Sequence, residues 1–243
     1  MSPAQFIVTF FCIVAGVSAM VSTVAPCDLE DKSCITNSFK ISFQDLVNGI
    51  PTMGVNSSDP IEKKKILGIL PKLKYTLTDV TFSGLKDCEV REAFFTPDHT
   101  KFIFTVICPR LVTKGHYDAK GQLLNFDVFG KGNIEINSYG FNMTFKTDIE
   151  MFKDCDDKDH MKIKDYKLQL NDKAFVTHEL SNLFNGDKAR AEAVTKVMSA
   201  NWRRVSEEAE APAMYSLILV FIKNMNNYFE GLPLEEIFYK ISQ

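Results

Sequence analysis

Residues 187–229 read DKARAEAVTKVMSANWRRVSEEAEAPAMYSLILVFIKNMNNYF. Apolar Val194, Val197, Met198, Val205, Leu217, Ile218, Val220, Phe221, Ile222 and Met225 recur near helical spacing. Asp187 stands where an N-cap belongs, and Asn185-Gly186 ahead of it supplies a turn. A helix of about 40 residues spans roughly 60 Å, whereas a compact globule of this chain's size has a radius of gyration of only about 17 Å. Either the helix breaks or the molecule is long. Pro212 removes one backbone hydrogen bond and should kink the helix near Glu208. From Leu217 to Ile222 the pattern is apolar all round, which predicts burial on every side.

Ahead of this helix the periodicity changes to two. From Ile66 to about Leu170 the chain reads as strands, with β-formers at Thr76–Thr81. Phe102, Phe104 and Val106 alternate with Lys101, Ile103 and Thr105, and Tyr139, Phe141, Met143 and Phe145 form a second alternating row. Turn signals fall at Pro97-Asp98-His99, Ala119-Lys120-Gly121 and Asp154 to Asp159. Several strands are apolar on both faces in places, which suits a sheet that wraps something. The fold class predicted is α+β: a highly curved antiparallel sheet around one long C-terminal helix. An earlier helix is expected over Ile35–Val47, stopped by Asn48-Gly49-Ile50-Pro51.

The N-terminus sets the compartment. Gln5 to Val17 is an uncharged apolar run, too short to span a bilayer comfortably, and Val17-Ser18-Ala19 has the small residues a signal peptidase needs. Residues 1–19 are thus read as a signal peptide, residues 20–243 as one secreted domain with no stable membrane insertion. Sequons at Asn56 and Asn142 suit that route.

In an oxidising compartment Cys27 and Cys34, seven residues apart, pair as a disulfide worth roughly 2.5 kcal/mol, a local clip. A three-residue loop at Pro97–His99 would pair Thr96 with Thr100 and set Cys88 opposite Cys108. Val90, Phe94, Phe102, Phe104 and Val106 would then share their face. A bond between them and two buried thiols are both compatible with the sequence. Cys155 makes the mature count odd, so one thiol is free or pairs outside the chain.

Composition excludes several functions. A net charge of −3 with no basic stripe argues against nucleic acid, and 45% apolar residues with 20 phenylalanines provide a large core. The acidic run Asp154–His160 lacks the glycine and terminal glutamate of a calcium loop and reads as a solvated hairpin tip. His178-Glu179 has no second histidine four residues on, and no Gly-x-Ser-x-Gly elbow occurs. No catalytic residue, metal or cofactor is assigned.

The chain resembles the insect takeout and juvenile hormone binding protein family over essentially its whole mature length. The resemblance is carried by Cys27 and Cys34, Asn48-Gly49-Ile50-Pro51-Thr52-Met53-Gly54-Val55, Asp59-Pro60, Ser83-Gly84-Leu85 and Gly115-His116-Tyr117 to Gly121. It continues in Ser181-Asn182-Leu183-Phe184-Asn185-Gly186-Asp187, Asn201-Trp202, and Pro233 with Glu235-Glu236-Ile237-Phe238. It implies a sheet wrapped around one helix, enclosing an apolar tunnel, with the Cys27–Cys34 bridge pinning an N-terminal arm near one end. Juvenile hormone binders carry a second bridge from sheet to long helix. Here that helix has no cysteine, which leans towards the takeout branch, linked to feeding, circadian output and chemosensation.

The function expected is a monomeric carrier of a small hydrophobic ligand, a terpenoid such as juvenile hormone or a fatty-acyl lipid. Candidate lining residues are Phe102, Phe104, Tyr139, Phe141, Met143 and Phe145 from strands, with Met198, Trp202 and Val205 from the helix; Tyr139 could donate to an ester or epoxide oxygen. Two rivals stand beside it. An esterase acting on a terpenoid ester would need a Ser or Cys nucleophile near His99, His116, His160 or His178, and a ligand-free interaction module would have its tunnel filled by side chains.

Overall fold

The computed structural model describes residues 25–170 and 174–239. The proposed signal peptide at 1–19 lies outside the described residues.

The spine is one very long antiparallel hairpin, β4 (Lys101–Leu123) and β5 (Phe126–Lys153), after the shorter β1 (Ile61–Ile69), β2 (Leu73–Ser83) and β3 (Glu89–Phe95). β6 (Asp159–Leu170) and β7 (Phe175–Leu180) follow. At one end β4 and β5 are flanked by β3 and β6, at the other by β2 and β7, and β1 extends beyond β2. The turn joining β4 to β5 is Leu124-Asn125, both at positive φ. Ala119-Lys120-Gly121, expected as a turn, instead lies inside β4 with Gly121 paired to Leu73 and Val128. A two-residue turn hides easily in sequence when neither residue is glycine.

The first helix, α1 (Lys32–Asn48), begins three residues earlier than its apolar periodicity, because Asp31 accepts the Cys34 N–H at 3.0 Å as its N-cap. The long C-terminal helix is interrupted. α2 (Lys188–Ala200) is capped by Asp187, whose side chain accepts from the Arg190 N–H. Asn201 leaves helical geometry, α3 (Trp202–Val205) is one turn, and a π-helical turn at Ser206–Glu210 leads into α4 (Ala211–Glu230). Pro212 lies at the start of α4. Its missing N–H and its ring clash are absorbed by the wider π turn immediately before it. A short α5 (Leu234–Ile237) closes the chain.

The sheet is strongly curved but unclosed, and α4 fills the gap. It packs against both β1 and β6, the two ends of the strand path. Leu217, Ile218, Phe221, Ile222 and Met225 face inward, while Tyr215 and Leu219 remain 59% and 40% exposed. The expectation of burial on every side therefore fails along one stripe, because a helix that seals an opening must show one face to solvent. Asn226 completes the seal by accepting from the Ile163 N–H at 2.7 Å and donating to the Ile163 carbonyl at 3.0 Å. A free strand edge is thereby satisfied by a helix side chain.

Two disulfides are formed, Cys27–Cys34 and Cys88–Cys108, with Cα separations of 5.7 and 4.2 Å; Cys155 is free and exposed. The β3–β4 register differs by one from that of a three-residue loop, since Phe95 pairs with Phe102. A bulge between Val90 and Glu92 then restores it, so Val90 meets Val106 and the cysteines come together. In consequence Ala93 and Phe95 point inward, and Phe94, expected on that face, turns outward under the Lys32 ammonium.

Candidate ligand-binding cavity

Inside the curl, at the β2–β7 end, is a cavity of about 120 Å³. Its walls come from the inner face of the sheet (Leu77, Phe82, Leu111, Ile136 and Phe141 among others) and from the broken helix (Met198, Trp202, Val205, Ala209 and Leu217). A smaller cavity of about 40 Å³ lies at the opposite end, beneath α1 and α5, and includes Phe102.

Between the two the interior is filled. Phe104 and Phe145 stack with centroids 4.7 Å apart, Phe145 reaches Phe221 at 6.1 Å, and Met143 and Met225 are fully buried beside them. The structure places the nine sequence-predicted residues in four settings. Phe141, Met198, Trp202 and Val205 line the larger cavity, and Phe102 the smaller. Phe104, Met143 and Phe145 form the plug between them. Tyr139 lies on the outer surface, 36% exposed, stacked on Phe175.

The displacement of Tyr139 has a local cause. The β4–β5 ladder passes from Cys108↔Phe141 to Arg110↔Tyr139, stepping over Pro109 and Gly140. Gly140 takes φ +63°, a conformation that favours glycine. Across this step the buried positions change from even to odd on β4 (Phe104, Val106, Cys108, then Leu111, Thr113, Tyr117). On β5 the inward residues change from Phe145, Met143 and Phe141 to Ser138, Ile136 and Ile134. A period-two reading continued through the step puts Tyr139 on the wrong face.

One wall of the larger cavity is polar. The His178 Nε2–H donates to Glu210 Oε1 at 2.7 Å, and His178 Nδ1 lies 3.4 Å from Ser199 Oγ. Both side chains are sheltered, 1% and 18% exposed respectively. Tyr75 donates to the Ala209 carbonyl at 2.7 Å, so the π turn is held from β2. Burial, and secondarily the Glu210 charge, push the Tyr75 hydroxyl up to about 12. Gly68, opposite Tyr75 on β1, makes room for the ring: a Cβ there would stand 2.1 Å from it. Tyr117 donates to the Ser181 carbonyl at 2.8 Å, and burial raises it too to about 12. Sequence reasoning passed over Tyr75, Tyr117 and Glu210. The proline at 212, which forces the π turn carrying Glu210, was the available signal.

Ser199, His178 and Glu210 stand in the order of an acyl-transfer triad, but the 3.4 Å separation is at the limit of a hydrogen bond. Ser199 also opens to an outer groove between α2 and β7 rather than to the cavity. At the Asp154–Asp159 hairpin tip, Asp154 accepts the N–H groups of Lys158 and Asp156, which hold its carboxyl below the usual range, and it also pairs with His160. Among the described residues no His, Cys, Asp or Glu cluster is placed to hold a metal ion, and no helix is long and apolar enough to cross a membrane.

An antiparallel sheet curled against a long broken helix, with an apolar cavity between them, defines a container for an apolar molecule. The chain belongs to the haemolymph juvenile hormone binding protein family, whose model matches residues 6–239. Its fold is that of Takeout 1 of Epiphyas postvittana, with a TM-score of 0.82 and 27% identity over 89% of this chain and all of that one. Circadian clock-controlled protein daywake of Drosophila melanogaster is 25% identical over 94% of this chain and 92% of that protein. The Drosophila yakuba protein of the same name is 25% identical over 89% and 87%.

Proposed function

We propose that the protein is a secreted, monomeric carrier of a small hydrophobic ligand, a terpenoid or a fatty chain, held in the larger cavity and contacted by Phe141, Met198, Trp202 and Val205. The observation that carries this reading is the cavity itself, lined by β-strand and helix side chains most of which are apolar. Each buried methylene contributes about 0.8 kcal/mol, so ten of them reach micromolar affinity through burial. The two disulfides support secretion, and with it cleavage after Ala19. Asn56 is exposed and suits a glycan, whereas Asn142 is half-buried on β5, a poorer acceptor. The residues from 20 to 243 act as one unit. Clock-linked expression, suggested by the daywake relatives, is testable by a transcript time course, in which a flat profile would remove it.

The test of the carrier reading is native mass spectrometry of protein secreted from eukaryotic cells, followed by organic extraction. A co-purifying lipid or terpenoid released on unfolding supports the carrier. A bare mass, with no rise in melting temperature on adding juvenile hormone or fatty chains, overturns it. The order of Ser199, His178 and Glu210 keeps ester hydrolysis as the second reading, and a broad esterase screen that finds turnover lost in Ser199→Ala would favour it.

A further inference from the structure

From the charges on the cavity wall, and resting on the carrier reading above, we infer that the ligand's polar end is a hydrogen-bond donor, an alcohol, and that the cavity rejects a free carboxylate. Glu210 brings a carboxylate to the wall of a mostly apolar space, and only its Oε1 is engaged, by His178. Its Oε2 has no hydrogen-bond partner among the described residues and accepts only. A hydroxyl at the end of an apolar chain donates to that oxygen; an ester or ether offers it nothing.

The remaining groups sharpen the selection. Tyr75 has its proton committed to the Ala209 carbonyl and Tyr117 its own to Ser181, while Thr113, Ser138 and Ser206, which also line the cavity, are neutral hydroxyls that bring no counter-charge for a carboxylate. Lys114 borders the cavity, but its ammonium lies on the outer face, 3.1 Å from Glu135 and more than half exposed. Among the described residues of the wall, His178 is the group that could carry a positive charge into the cavity, and it is already matched by Glu210. Whether His178 is neutral or protonated, the pair sums to −1 or 0 and never to a net positive charge. A carboxylate entering here meets a like charge without a counter-charge, the arrangement that most disfavours an ionised acid. An apolar chain ending in a hydroxyl meets a matched acceptor.

The wild-type full chain decides the matter by calorimetry at pH 8 with four probes of equal chain length: 1-dodecanol, dodecylamine, methyl dodecanoate and dodecanoate. The inference expects 1-dodecanol to bind at least about tenfold tighter than dodecanoate, dodecylamine also to outrank the acid, and the ester to fall between. Glu210→Gln, whose amide donates as well as accepts, should then tighten dodecanoate and shrink the alcohol-to-acid ratio by about tenfold. Equal or tighter binding of dodecanoate in the wild type overturns the inference while leaving the carrier intact. Binding of none of the four overturns the carrier reading and this inference together. The ranking comes from the wild type, so it stands whether or not Glu210→Gln folds.

Discussion

Replacing Phe145 by alanine should lengthen the ligand the protein accepts. Phe145 is 2% exposed, stacks on Phe104 at 4.7 Å and abuts Phe221 on α4, and it stands one inward step beyond Met143 and two beyond Phe141, which lines the larger cavity. Each inward step along a strand is two residues, about 6.6 Å. Removing the ring costs about 3–5 kcal/mol of stability by the usual measure of a buried phenylalanine. The space it leaves extends the cavity towards the smaller one lined by Phe102. In the wild type, a homologous series of alcohols should gain roughly fourfold in affinity per methylene, from about 0.8 kcal/mol each. The gain should stop when the chain reaches the plug. In Phe145→Ala the plateau should move to longer chains by several methylenes, and saturating ligand should restore part of the lost melting temperature. Calorimetry across the series, with circular dichroism to confirm the fold, reads both. A folded variant with its plateau at the wild-type length would refute the assignment of Phe145 to the plug.

Four further outcomes are expected. Cys88→Ala with Cys108→Ala should lower stability by about 2–4 kcal/mol, seen as a fall in denaturation midpoint equal to the effect of reductant on the wild type minus its effect on the double variant. Asp59→Ala strips the carboxylate that accepts the N–H groups of Gly84 and Lys86, at a cost of about 2–3 kcal/mol; a melting temperature within a degree of wild type would contradict that role. Asn226→Ala should leave the Ile163 N–H and C=O unpaired, and hydrogen exchange along β6 should quicken well before global unfolding. Tyr75 and Tyr117 ionise near 10 when unfolded and only at about 12 in the fold, so their contribution is present below pH 10 and is lost as pH rises from 10 to 12. Melting temperature should fall across that window, and less steeply in Tyr75→Phe.

Much of this molecule was legible before its structure. The π turn in the long helix was signalled by Pro212, though the earlier break at Asn201 was not, the helix start by Asp187, and the sheet by the alternating phenylalanines of β4 and β5. Within the site, alternation located Phe141 but not the change of face at Pro109 and Gly140, because a step shared by two paired strands leaves each strand's local pattern intact. The same blindness applied to the bulge between Val90 and Glu92, which alone reconciles the turn register with the Cys88–Cys108 bond. The plug was unreadable for a different reason. Phenylalanines that line a cavity and phenylalanines that fill a core have the same sequence signature, and only the packing of Phe104 and Phe145 against Phe221 separates them. Nor could periodicity reveal Glu210 on the cavity wall, since a π turn rotates its residues out of helical phase.

Trp202, the single tryptophan of the chain, lies in the wall of the larger cavity 5.5 Å from the Phe141 ring, and so reports on occupancy directly. The decisive measurement is a titration of its fluorescence with a fatty alcohol brominated at mid-chain, a quencher that acts only near contact. The account predicts saturable quenching at one equivalent, reversed by the unbrominated alcohol. Calorimetric binding without quenching, or quenching that never saturates, would contradict the claim that this cavity is where the ligand is carried.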